Sequence, residues 1–192
     1  MRRRLTGMAI ASVLLAGCSV GTVRSQEATC DAPSGAFPVL VAQAVPSAVL
    51  LPCIRVFPAG WSYGGSDVRS GRSRFWLDSD RAGIHAVEVE LTERCSVAGM
   101  SNVTASSREL GVLVYLEPIT FRPYTADRVF VFHGGCVTYR YRFGDAEHAP
   151  ILASEADEAL TFVRRSVLVD LAQIDLGLTL CGAEAPPCVG ED

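Results

Sequence analysis

Apolar and polar positions follow a period of two over much of the chain and a period near 3.6 toward its C-terminus. The clearest alternation is in residues 86–92. Val87, Val89 and Leu91 point one way and Glu88, Glu90 and Thr92 the other, which predicts a strand with one wet face. Residues 72–77 precede it across Asp78-Ser79-Asp80-Arg81-Ala82-Gly83, a run of turn formers, so the two segments predict a hairpin. A second turn, Gly134-Gly135, leads into residues 136–143. There Tyr139, Tyr141 and Phe143 share one face and Arg140 and Arg142 the other. Residues 112–116 and 128–132 are apolar on both parities, as expected of central strands covered on two sides. Residues 48–56 form an apolar run that Pro52 interrupts, which predicts an edge position or a bulge.

Helical spacing replaces this alternation near residue 154. Ser154 is placed as an N-cap, Glu155, Asp157 and Glu158 fill a first turn, and Arg164-Arg165 fill a last one, so the charges predict a helix over 154–165 aligned with its dipole. A second helix is expected after Ser166, with Val167, Leu171 and Ile174 on one face and an end near Gly177. A short apolar helix is expected over 38–45, closed by Pro46. Strands followed by helices define an α+β class: a mainly antiparallel sheet with C-terminal helices packed on one face.

The first eighteen residues follow a different logic. Arg2, Arg3 and Arg4 precede an apolar run over 8–15 that is too short to span a bilayer, and Leu15-Ala16-Gly17-Cys18 follows. This string resembles the lipobox of bacterial lipoproteins. The resemblance implies a signal peptide over 1–17, cleavage between Gly17 and Cys18, and a diacylglyceryl group on the Cys18 thiol. Residues 18–29 would be a lipidated tether and 30–192 a single disulfide-stabilised domain, held on the extracytoplasmic face of the cell membrane. The export route, general secretory or twin-arginine, stays open, because the residues after Arg2-Arg3 match the latter signal poorly.

Charge narrows the partners. All seventeen basic residues are Arg, so a Schiff-base or general-base lysine is ruled out. The full chain carries a net charge of −4. Without residues 1–17, fourteen Arg face twenty-one Asp plus Glu, a balance of −7. Net negative charge argues against nucleic acid, or an anionic membrane held by bulk electrostatics, as partner. The expected partners are the membrane, through the lipid, and an envelope polymer or membrane protein.

Setting Cys18 aside, Cys30, Cys53, Cys95, Cys136, Cys181 and Cys188 remain, an even set suited to three disulfides in an exported domain. No Cys-x-x-Cys spacing points to zinc, thioredoxin-like chemistry or haem attachment. Six cysteines allow about fifteen pairings. The preferred set is Cys181 with Cys188 across Pro186-Pro187, Cys95 with Cys136, and Cys30 with Cys53. A cysteine nucleophile working with His133 or His148 is disfavoured by the even count.

Candidate chemistry is thin. Gly60-Trp61-Ser62-Tyr63-Gly64 fits the Gly-x-Ser-x-Gly elbow of serine hydrolases, which needs a strand before it and a helix after it. Here Pro58 precedes it and a Gly-, Ser- and Arg-rich stretch follows. Asp78-Ser79-Asp80 begins like a calcium loop but lacks the later ligands, leaving a turn as the better reading. His85, His133 and His148 have no metal-motif spacing, and no metal or cofactor is expected. Trp61 and Trp76 read as core or hairpin anchors. Arg140 and Arg142, joined by Arg72 and Arg74 and by Arg69, form a candidate anion-binding face for carboxylates or phosphates. Cross-strand pairing with Glu88 and Glu90 is the favoured competing role.

Several segments taken together resemble a group of uncharacterised exported or membrane-anchored proteins of actinobacteria: Pro52-Cys53-Ile54, Pro58-Ala59-Gly60-Trp61, the string from Phe75 to Gly83, and Gly134-Gly135-Cys136-Val137-Thr138-Tyr139-Arg140. The resemblance covers about Ser47 to Cys188 and implies location and a shared domain without supplying chemistry. The expectation is a lipid-anchored, non-enzymatic domain that binds an envelope component or another envelope protein. The alternative is a small envelope hydrolase using Ser62 and His133 with an acid such as Asp78.

Overall fold

The structure is a computed structural model that describes residues 37–103, 111–121, 123–144 and 146–188. In chain order the elements are α1 (Phe37–Ala44), β1 (Leu50–Ile54), β2 (Trp61–Arg69), β3 (Arg72–Ser79), β4 (Gly83–Thr92), β5 (Ser101–Asn102), β6 (Leu113–Leu116), β7 (Thr120–Phe121), β8 (Tyr124–Phe132), β9 (Gly135–Phe143), α2 (Ala149–Ala159), β10 (Leu160–Arg164) and α3 (Arg165–Leu176). The fold is α+β and mainly antiparallel, with two of its three described helices at the C-terminal end. Among the described residues no helix is long and apolar enough to cross a membrane.

Eight strands form one sheet in the order β2-β3-β4-β9-β8-β6-β5, with β7 pairing to β8. The expected hairpins β3–β4 and β8–β9 are present, and β4 and β9 join at its centre, Val89 opposite Tyr139. The alternation then decides which face is dry. Phe75, Leu77, Val87, Val89, Leu91, Tyr139, Tyr141 and Phe143 are buried on one face, while the residues between them form the wet one.

A second layer covers the dry face. β1 and β10 pair with each other in a two-stranded ribbon that touches β4 and β9, and α1 packs on β1, β2 and β3. Phe162 of β10 packs against Tyr139, Phe130 and Phe132. Pro52 is tolerated for a geometric reason. Arg55 N–H donates to Ala159 and Arg165 N–H to Val49, so odd positions of β1 are the hydrogen-bonded ones and Pro52, opposite Phe162, is asked for no N–H.

The C-terminal segment departs from expectation. α2 starts at Ala149, with His148 as its N-cap and Pro150 in the first turn, and it ends at Ala159. Residues 160–164, expected to be helical, form β10. Leu-Thr-Phe-Val supplies β-branched and aromatic residues, and pairing with β1, over a hundred positions earlier, outweighs the local helix pattern. Arg165 therefore opens α3 instead of closing a helix. α3 ends as expected at Gly177, whose φ of 64° places it in the left-handed region. Its buried side is Arg165, Leu168 and Ala172, so Val167, Leu171 and Ile174 face outward instead.

Two further corrections concern strands. Residues 61–69, to which no element was assigned from sequence, form the edge strand β2, with a bulge between Tyr63 and Gly65 that hides its alternation. β6, expected to be central and covered, lies beside the far edge, and Leu113 is exposed.

Candidate functional site

The wet face of the sheet carries a ladder of charges. Asp67 of β2 accepts from Arg69 (2.8 Å), Arg74 (3.0 Å) and Arg72 (3.3 Å). Across β4, Glu88 and Glu90 lie between Arg74 and Arg72 of β3 and Arg140 of β9. Arg140 commits all three guanidinium nitrogens: Nη1 to Glu88, Nη2 to Glu90 at 2.7 Å, and Nε toward Asp127 of β8 at 3.5 Å. Arg142 reaches Asp127 at 2.7 Å through Nη1 and also donates to the Tyr141 carbonyl. The expected pairing of Arg140 with Glu88 and Glu90 is thus seen. Asp67 and Asp127 join the ladder without having been anticipated.

Depth separates the two signs. The carboxylate side chains are 12–21% exposed and the guanidinium side chains 26–69%. An approaching molecule meets arginine first, and among the described residues the ladder holds five Arg and four acids. Hydrogen bonds from Arg69, opposed by burial and helped by Arg74, hold the Asp67 carboxyl below its usual value. Burial alone would lower Arg140, but Glu90 and Glu88 outweigh it and raise that guanidinium above its ordinary value. Both shifts favour the charged forms of Asp67 and Arg140.

Trp76 stands within this face. Its indole N–H donates to Glu88 (2.9 Å), Arg74 lies 5.2 Å from its ring centre, and His85 stacks on it at 4.8 Å. Trp61 is buried on the other side of the sheet, where its N–H donates to Glu155. In the β3–β4 turn Ser79 Oγ accepts the N–H groups of Arg81 and Ala82, and Asp78 accepts that of His85. Two of the three side chains of the calcium-like string, Asp78 and Ser79, are thus bonded to turn amides. Among the described residues no three His, Cys, Asp or Glu side chains converge as a metal site.

The hydrolase residues are separated. Ser62 lies opposite Asp78 at one end of β2, whereas His133 lies in the β8–β9 turn, next to the far end of β4. Strand rise and spacing put them on the order of 25 Å apart. His133 instead lines an open cleft of about 450 Å³ with Pro46, Ser47, Gly134, Gly182 and Pro187. A Cβ on Gly134 would lie 1.7 Å from the Ser47 carbonyl oxygen, so only glycine fits that turn.

Two groups escaped the sequence reading. Arg165 is fully buried, and its side-chain bonds within the described residues all go to carbonyls. Its guanidinium donates to the carbonyls of Ala42 (2.5 Å), Val45 (2.6 Å), Ala48 (2.8 Å) and Cys181 (2.8 Å). It thereby closes the C-terminus of α1 and ties that end to α3, and burial lowers its pKa from the ordinary arginine value. Glu155 and Asp157, expected as first-turn acids, lie in the second half of α2 and clamp it to the sheet. Trp61 and Arg81 hold Glu155, and Tyr141 and Arg128 hold Asp157. Burial pushes the Tyr139 and Tyr141 hydroxyls well above their usual range, and the Asp157 charge adds to the effect.

The disulfides Cys95–Cys136 and Cys181–Cys188 are both formed, with Cα atoms 5.7 and 4.9 Å apart. Cys53 is disulfide-bonded too, and its expected partner Cys30 lies outside the described residues, as do Gly17 and Cys18. Comparison of the chain with family models, curated proteins and solved structures found no match.

Proposed function

We propose that the chain is a lipid-anchored, extracytoplasmic, non-enzymatic domain that binds an anionic envelope component through the open face of its sheet. The observation that carries the location is the cysteine inventory. Of seven cysteines, four pair among themselves and Cys53 is bonded as well, which leaves an odd one among the two that precede Phe37. Cys18, inside Leu15-Ala16-Gly17-Cys18, is the one placed for a thioether to lipid, and disulfides suit an oxidising compartment outside the cytosol. For the ligand, the support is the uneven depth of the ladder. Arg69, Arg72 and Arg142 are the most exposed arginines of the ladder, and their bonds within the described residues leave donors for a carboxylate or phosphate.

The hydrolase alternative would have to use Ser62 with a base other than His133. Intact-mass measurement on native protein tests the main reading. The expected mass begins at Cys18 and includes a diacylglyceryl group, with the other six cysteines resistant to alkylation. An unacylated N-terminus or free thiols would overturn it. Fluorophosphonate labelling lost in Ser62→Ala would favour the hydrolase.

A further inference from the structure

α3 buries one side and leaves an apolar stripe on the other. Val167, Leu171 and Ile174 recur at spacings of four and three, which aligns them on α3, and they are 41, 41 and 79% exposed; Leu178, just past the Gly177 cap, is 45% exposed. α1 packs against α3 and carries a further exposed apolar residue. Leu40 is 53% exposed there, and Gln43, one turn further on, donates to the Thr179 carbonyl beside Leu178. Single exposed leucines are ordinary on a protein surface, but an aligned set on one helix beside an exposed leucine of its neighbour marks a contact surface.

We infer that this α1–α3 face rests on the lipid surface to which the chain is anchored; the inference depends on the anchoring proposed above. The chain outside the structure argues for that occupant. From Cys18 to Phe37 it can span at most about 65 Å at the extended rise per residue, and it joins the domain at the start of α1, on the same layer as the stripe. A bilayer holding Cys18 is therefore within reach of this face. A helix lying in the interface, with its apolar side chains at the headgroup boundary, fits this arrangement. The exposed Asp170 and Asp175 flank the stripe, so a zwitterionic surface is a better match than an anionic one. On the opposite side of the sheet the arginine ladder then faces away from the membrane, free to meet a ligand.

The test uses the full lipidated chain on phosphatidylcholine vesicles, with a polarity-sensitive dye at Ile174→Cys and, separately, at Ser62→Cys on the far layer. The dye at 174 is expected to shift to the blue and to be quenched by lipid-borne nitroxide, and the dye at 62 to remain aqueous. Adding phosphatidylglycerol should weaken the shift. If the chain floats with the vesicles and both dyes stay aqueous, the inference is overturned while the anchor stands. If the chain does not float, the anchor fails and this face loses its occupant. A blue shift with self-quenching but no nitroxide quenching would assign the stripe to a second copy, and would also overturn it.

Discussion

Arg140 and Arg165 show how differently one side chain is used on the two sides of this sheet. Arg140, on the wet face, is surrounded by Glu88, Glu90 and Asp127 and stays 30% exposed, and Arg74, Arg72 and Arg142 contact the same three acids. Arg165, in the covering layer, is fully buried and answers four backbone carbonyls from α1, the loop that follows it, and the Cys181 segment. The first belongs to a redundant surface network. The second is one group on which several chain ends depend, because a carbonyl stripped of its partner in a dry site keeps its desolvation cost. Stability is thus concentrated on one side of the sheet and chemistry available to a ligand on the other.

The sharpest way to break this contrast is Arg165→Ala, which should cost about 3–5 kcal/mol in urea unfolding, because several carbonyls lose their donor together. A loss as small as that for Arg140→Ala, expected at about 1–2 kcal/mol, would put the two arginines in the same class. Removing Cys95–Cys136, which closes a separation of 41 residues, should cost about 4 kcal/mol, and Cys181–Cys188, over 7, about 2.5 kcal/mol; melting of the double serine variants measures both.

High and low pH separate the layers further. Tyr139 and Tyr141 titrate higher in the fold than in the unfolded chain, so their contribution is whole below about pH 10 and falls as pH rises above it. Each should remove about 1.4 kcal/mol per further pH unit, and Tyr141→Phe should flatten that slope. Asp67 and Glu155 titrate lower in the fold, so what they add is present above about pH 4 and is lost as pH falls through their folded values. Asp67→Asn should shrink the loss between pH 4 and pH 2, as followed by circular dichroism.

The wet face was legible in sequence because alternation is a local signal. Glu88 and Glu90 on β4 and Arg140 and Arg142 on β9 could be assigned from neighbours two positions away. Asp67 could not, since the Gly64-Gly65 bulge breaks the period of β2. β10 was hidden for a different reason. Good helix formers before it and Arg164-Arg165 at its end imitate a helix, and the strand that overrides them, β1, lies far away in the chain. Nothing local distinguishes Arg165 from Arg164, and only the tertiary packing of α1 and the Cys181 segment decides which one is buried.

Smallest in its effect on the fold, yet most direct for the account, is a calorimetric titration of the full chain with soluble polyphosphate at two salt concentrations. The native protein should bind, more weakly at high salt. Arg72→Ala combined with Arg142→Ala should lose most of that binding while changing stability by no more than about 1 kcal/mol. Undiminished binding in the double variant, or none in the native protein, would contradict the assignment of ligand contact to the arginine face.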